Sequence, residues 1–227
     1  MDLLDVVRGP LLWLALAVFV LGTGWRLWGV LARPRQPDLS APRRGAPPPA
    51  VGALQGIVRG LRPRRSFGSG HWLVSLNGLV FHLGLAVVVL GYAPHIAFVQ
   101  RLTGLHWPAL PDLVMYLAAA VTIVSLLLAL VQRLNDPVLR TISGPDDWIS
   151  WTLTFLPFLT GMAVVGEPSA TLLAHAEPVY RGPLALHLFS LELLLIWFPF
   201  GKLMHAVLFP FSRGATGQRF SHRGVKL

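Results

Sequence analysis

The sequence predicts an all-α membrane protein, a five-transmembrane-helix bundle with the N-terminus outside and the C-terminus cytoplasmic. Three observations predict it. Of 227 residues, 54% are hydrophobic and only 13% are charged, against about a quarter charged in an ordinary soluble domain. The apolar residues fall into five long runs rather than an even scatter, which is a membrane signature. The basic residues then collect on alternate sides of those runs.

The first run is residues 10–30 (PLLWLALAVFVLGTGWRLWGV), with Pro10 suited to a first helical position. Its leading stretch, MDLLDVVRG, carries two acids, unlike the basic start of a cleaved signal peptide, so a retained helix is expected. The second is 72–99, the third 113–131, the fourth 148–165 and the fifth 183–211. Each approaches the ~20 residues a span needs. The fourth is the shortest and contains Pro157.

Charge sets the expected orientation. Nine arginines lie from Arg26 to Arg65, two (Arg133 and Arg140) join runs three and four, and five Lys or Arg follow from Lys202 on. That makes sixteen on one side against three, Arg8, Arg101 and Arg181, on the other. Lys and Arg are retained in the cytoplasm, so the second and fourth runs point outward and the third and fifth inward. The net charge of +9 is thereby explained without nucleic acid. Between the first two runs, residues 33–70 are rich in Pro, Arg and Gly. Such a stretch is expected to form a flexible or surface-lying basic cytoplasmic loop, open to lipid headgroups or an acidic partner. No internal repeat is visible.

The chain has no cysteine, which excludes disulfides, thiolate-held iron–sulfur or zinc, and covalent haem attachment. Any metal chemistry falls to histidine and carboxylate. His71, His106, His175 and His222 lie at run ends or in loops, whereas His82 and His95 lie in the second run and His187 and His205 in the fifth. Ionisable side chains inside a membrane are costly and default to function. His187 and His205 are 18 residues apart, five turns of a regular helix, on one face and ~27 Å apart along the axis. Antiparallel directions match depths crosswise, His82 with His205 at the inner side and His95 with His187 at the outer side. Two bis-histidine haem sites stacked across a bilayer have this pattern, because haem iron takes axial imidazoles from opposite faces. Gly78, Gly84, Ala86 and Gly91 leave room for a flat macrocycle and equally suit close helix packing. One feature strains the pattern: the 13 residues from His82 to His95 rotate about 220° on a regular helix, with Pro94 in between to alter the rotation. Glu192 is a candidate for proton handling at a quinone site, the alternative being a buried acid paired with Thr152 or Thr160. His106 and Asp112, before the third run, are further candidates to face a quinone headgroup.

With these residues in view, the chain resembles the gamma subunit of respiratory nitrate reductases and its relatives, the membrane cytochromes b of heterodisulfide-reductase-like and dissimilatory sulfite-reduction-associated complexes. The motifs are NGLVFHLGLAVVVLG (77–91), RTISGPDDWISW (140–151) and LHLFSLELLLIWFPFGKLMH (186–205). The resemblance covers nearly the whole chain, 1–227, as a single membrane cytochrome b domain. It implies two b haems held by histidines of the second and fifth helices, and quinol oxidation near the outer one. It also implies electron passage to a cytoplasmic iron–sulfur subunit and a catalytic subunit, the membrane subunit being not catalytic alone on the terminal substrate. His82, His187 and His205 fall on ligand positions. The remaining ligand position of the nitrate-reductase pattern holds Tyr92, and His95, one turn further, is its expected replacement, with His71 or His106 next in line. The location implied is the cell inner (cytoplasmic) membrane. The competing expectation is a non-haem transporter or assembly factor whose histidines line a proton path.

Overall fold

The computed structural model describes residues 2–34, 38–62, 69–164 and 181–225, with side chains in the third stretch described from Leu73 on. The predicted end of the fourth run at Val165, His175, and the basic residues Arg35, Arg64, Arg65 and Lys226 lie outside the described residues, as does the side chain of His71.

Every regular element among the described residues is helical. In chain order these are α1 (Leu3–Arg8), α2 (Pro10–Leu31), α3 (Pro49–Gly60), α4 (Ser69–Gly91), α5 (Ala93–Thr103) and α6 (Asp112–Asn135). There follow α7 (Pro137–Ile142), α8 (Pro145–Val164), α9 (Arg181–Trp197), a short 3-10 turn (Lys202–Met204) and α10 (His205–Arg223). Three stretches, Leu3–Leu31, Leu73–Gly91 and Asp112–Asn135, are long and apolar enough to cross a membrane. A fourth results if α9 and the bent segment after it count as one span. The large apolar side chains face outward: Trp13 is 64% exposed, Leu21 72% and Trp28 71%. A water-soluble fold does not leave whole helices coated this way, whereas lipid tails cover such a surface.

Local chemistry explains the elements. Pro10 opens α2, where its missing N–H costs nothing. Asp112 begins α6 and Arg133 lies in its last turn, each at the helix end that favours its charge. Asp136 caps α7 by accepting from the Val138 and Leu139 N–H groups at 2.8 and 3.1 Å. At one end of the bundle Leu4, Val7 and Ala185 form a buried cluster with Leu11, Leu184 and Leu188 around it. Beside it Arg181 donates to Asp2 at 2.7 Å, and this hydrogen bond holds the Asp2 carboxyl below its ordinary pKa. Gly84 lets α4 meet α6, since a Cβ there falls 2.0 Å from Thr122 Oγ1. About two turns away along α4, Asn77 donates to Ser125 O at 2.9 Å and accepts from Ser125 Oγ at 2.8 Å. Gly91 likewise abuts Leu110 and Met115, so at Gly84 and Gly91 the small residues serve helix packing.

Three expectations are corrected. The fifth run is not one helix: α9 stops at Trp197, and the segment from Lys202 leaves at 77°. Pro199 has no N–H to give and its ring crowds the carbonyl four residues back, and Gly201 follows in an extended conformation (φ −98°, ψ −177°). His187 and His205 therefore do not share a face of a single helix. The second run is broken too, at Tyr92 (φ −80°, ψ 128°), with Pro94 in the first turn of α5. Finally, the Pro- and Arg-rich stretch contains α3, which docks on α10. A Cβ on Gly56 would fall 2.6 Å from Gly217 Cα, and one on Gly52 2.9 Å from Ser221. Asp38, ahead of α3, accepts from Arg223 Nε at 2.7 Å, and His222 donates to Ser40 O at 2.8 Å.

Candidate functional site

The four histidines of the second and fifth runs meet in two pairs. The His82 and His205 ring centres lie 6.0 Å apart with ring planes at 85°. The His95 and His187 centres lie 6.3 Å apart with planes at 18°. These are the crosswise partners expected from helix direction, although neither run is a continuous helix.

Each pair joins one histidine from inside a helix to one that follows a break. His82 sits within α4 and His187 within α9, whereas His95 is the third residue of α5 and His205 the first of α10. The breaks remove the rotational conflict. After the interruption at Tyr92, His95 turns back and its Nδ1 lies 3.0 Å from Val88 O, seven residues earlier. Pro199 and Gly201 do the same for His205, whose Nδ1 lies 2.8 Å from Lys202 O.

These local bonds settle the tautomers. A carbonyl only accepts, so Nδ1 carries the proton and donates in His95, in His205, and in His82, where the acceptor is Gly78 O at 2.6 Å. In the neutral ring Nε2 then carries the lone pair. Metal-ligating histidines are arranged in this way, the second nitrogen tied to a carbonyl so that the ring is oriented and more basic. His187 has Thr160 Oγ1 3.3 Å from its Nδ1, and Thr160 itself reaches Ser190 at 3.0 Å and Leu156 O at 2.7 Å. Gly161 lies against the His187 ring, since a Cβ there would stand 3.1 Å from Cε1. Gly161 is a site residue that sequence reasoning missed, and Thr160, named there only as a partner for Glu192, lies at His187 instead. Their signal was a small residue and a hydroxyl at the depth of His187.

The spacing fits a metal held between the rings. Two imidazoles each binding at about 2.0 Å through one nitrogen place their ring centres about 6 Å apart. Among the described residues no group of three or more His, Cys, Asp and Glu is placed to hold a metal ion. Two facing imidazoles complete the coordination of a metal that brings its own in-plane donors, as haem iron does, but fall short of the four ligands of a structural zinc.

The remaining candidates scatter. Tyr92 lies beside His95, ring centres 5.2 Å apart. His106 and Asp112 are exposed, one in the loop after α5 and one at the start of α6. That loop folds over the end of α4, with Trp107 Nε1 donating to Leu90 O at 2.6 Å and Leu110 N to Gly91 O at 2.9 Å. Between loop and helix is an open apolar hollow of ≈ 650 Å³, lined by Ala86, Val87, Leu90 and Gly91 with Trp107, Pro108 and Leu110. Glu192 is 1% exposed, and among the described residues neither of its carboxylate oxygens has a hydrogen-bond partner. The expected pairing with Thr160 does not form, because that hydroxyl faces His187 and Ser190.

Fold and site together define a class: an all-helical protein with several helices long and apolar enough to cross a membrane, carrying two facing histidine pairs. The chain is 30% identical over 223 residues, 95% of its length and 92% of the other's, to a protein of Nitratidesulfovibrio vulgaris (strain Hildenborough) whose name, "Protein", states no activity. The chain belongs to the family of that protein. No family model matches it.

Proposed function

We propose that this chain is a di-haem b membrane subunit that carries electrons between the quinone pool and a cytoplasmic iron–sulfur and catalytic partner of a respiratory oxidoreductase. The observation that carries the reading is the pairing of His82 with His205 and of His95 with His187 at 6.0 and 6.3 Å. Haem b, when bound, supplies a one-electron carrier. Nε2 of each histidine is the donor, and the backbone carbonyls of Gly78, Val88 and Lys202 hold three of the rings. In this reading α8 and α9 are the fourth and fifth spans of the bundle, with the N-terminus outside and the inner membrane of the cell as its location. His82 and His205 then face the cytoplasm, where electrons leave. The hollow at the outer end of α4 falls in the size range of small-molecule sites and is apolar enough for a quinone ring. Tyr92, His106 and Asp112 flank its lining residues in sequence, so groups able to take protons from a quinol lie close by in the chain. Glu192, within α9, is the candidate for proton handling deeper in the bundle.

A second reading, a non-haem transporter or assembly factor with a histidine proton path, draws on the broken second and fifth runs, because discontinuous helices often mark transport sites. A reduced-minus-oxidised optical spectrum of the purified chain separates the two. The cytochrome reading expects b-type bands that a quinol restores after oxidation. A flat spectrum overturns it.

A further inference from the structure

Two of the sequence motifs, RTISGPDDW and FPFGK, have no part in the histidine pairs themselves, yet the structure joins them. At the break after α9, the Lys202 N–H donates to Asp146 Oδ1 at 3.2 Å. The Lys202 ammonium bonds Asp147 Oδ2 at 2.5 Å. Asp147 also pairs with Arg133 of α6 at 3.2 Å, and its side chain is only 9% exposed. Ser150 links the two motifs a second time, accepting from Trp197 Nε1 at 3.0 Å and donating to Asp146 Oδ1 at 2.8 Å. Gly201 has no room for a side chain: a Cβ would fall 2.3 Å from Trp197 Nε1 and 3.0 Å from Asp146 Oδ1. Lys202 is thus gripped at both its backbone nitrogen and its ammonium, by neighbouring acids in the first turn of α8. Its carbonyl is the acceptor for His205 Nδ1 at 2.8 Å.

We infer that Asp146 and Asp147 are positioning residues for His205: through Lys202 they set the direction of the imidazole that faces His82. Past Pro199 the backbone ladder goes no further than the Phe200 and Gly201 N–H groups on Trp197 O, at 3.0 and 3.1 Å, so where the next segment goes needs a further constraint at Lys202. The two carboxylates supply that constraint from a separate helix, and Arg133 anchors one of them to a third. Partners of this kind orient a metal ligand and set its basicity, and losing them typically costs 10–100-fold in metal affinity. Among the described residues no carboxylate plays this part at the outer pair: His95 is held by Val88 O, and His187 lies against the Thr160 hydroxyl and Gly161 of α8. The inference rests on the haem reading above and names which site depends on which acids.

The test uses the purified full-length chain with haem bound. Low-spin ferric resonance spectra distinguish the sites, since imidazole planes at 18° act on one iron d orbital and planes at 85° on two different ones. His82→Ala and His95→Ala assign the signals by removing one each. Asp146→Ala and Asp147→Ala are then expected to displace the inner signal, or lower inner-haem occupancy 10-fold or more, with the outer signal unchanged as the internal check on folding. Asp146→Asn keeps an acceptor oxygen for the Lys202 N–H and is expected to restore the wild-type inner signal. Gly201→Ala forces the same contact apart without changing charge and is expected to act like Asp146→Ala. Wild-type signals throughout overturn the inference, as do inner and outer signals that change together, which a merely structural role would produce. A wild-type chain without b-type bands overturns the haem reading itself, and the inference with it.

Discussion

The two histidine pairs, called inner (His82, His205) and outer (His95, His187) after the proposed orientation, share a plan and differ in how it is held. Each takes one ring from within a helix and one from just past a break. The inner rings, His82 and His205, are exposed and nearly perpendicular, at 85°. The outer rings, His95 and His187, are half-buried and nearly parallel, at 18°. The outer break is an interruption at one residue, Tyr92, and packing closes around it: the loop carrying Trp107 and Leu110 bonds back onto α4. The inner break turns the chain by 77° and is spanned by charged side chains from α6 and α8. A small break is held by local backbone bonds, and a large one needs support from other helices.

The largest expected effect is on the haems. Under the proposed haem reading, replacing His82 or His205 by Ala is expected to remove the inner haem and leave the outer, and His95→Ala or His187→Ala to do the reverse, each halving the b-band amplitude in a difference spectrum. If His95→Ala leaves both haems, the outer ligand lies elsewhere and the pairing at 6.3 Å is incidental. Next comes packing. Gly84→Ala drives a methyl into Thr122, where a Cβ stands 2.0 Å from Oγ1. The expected loss is about 1–3 kcal/mol, read as a lowered thermal midpoint in detergent, with both haem signals present at low temperature. Gly161→Ala is milder, at 3.1 Å from the edge of His187, and is expected to alter the outer signal alone.

Glu192→Gln is expected to leave the thermal midpoint equal or raised, because a buried carboxyl without partners gains nothing from a charge. A clear loss of stability in that variant would show that the acid has a partner. The smallest effect lies at the α3–α10 contact. Arg223 donates to Asp38 and holds its carboxyl well below the ordinary carboxylate range. A depressed acid contributes stability above its unfolded pKa, about 4, and loses it as pH falls further through the folded value. Arg223→Gln is therefore expected to change proteolysis of residues 33–62 slightly at pH 7 and not at all once Asp38 is protonated in both proteins.

How much of this was legible in the sequence varies by element for physical reasons. The helical class followed from run length, because a bilayer leaves backbone groups few other solutions. The crosswise pairing followed from helix direction, and the structure brings those same histidines together. The 77° turn did not follow, since hydropathy treats Leu195, Phe198, Pro199 and Phe200 as one apolar run. The cue was Pro199 and Gly201 within three residues. The docking of α3 was hidden by its Pro- and Arg-rich surroundings. Only Gly52 and Gly56, four residues apart, and Gly214 and Gly217, three apart, marked faces for close packing. Asp146 and Asp147 lie in the first turn of α8, where acids are common for the helix's own sake, and nothing in the linear order shows that they reach Lys202, some fifty-five residues on.

The most direct measurement of the central claim, that each facing pair holds one haem, is the haem count of the purified chain beside that of His95→Ala, from reduced-minus-oxidised spectra scaled to protein. Two b haems per wild-type chain and one in the variant are expected. A wild-type chain without b-type bands, or a variant that still carries two, would contradict the claim.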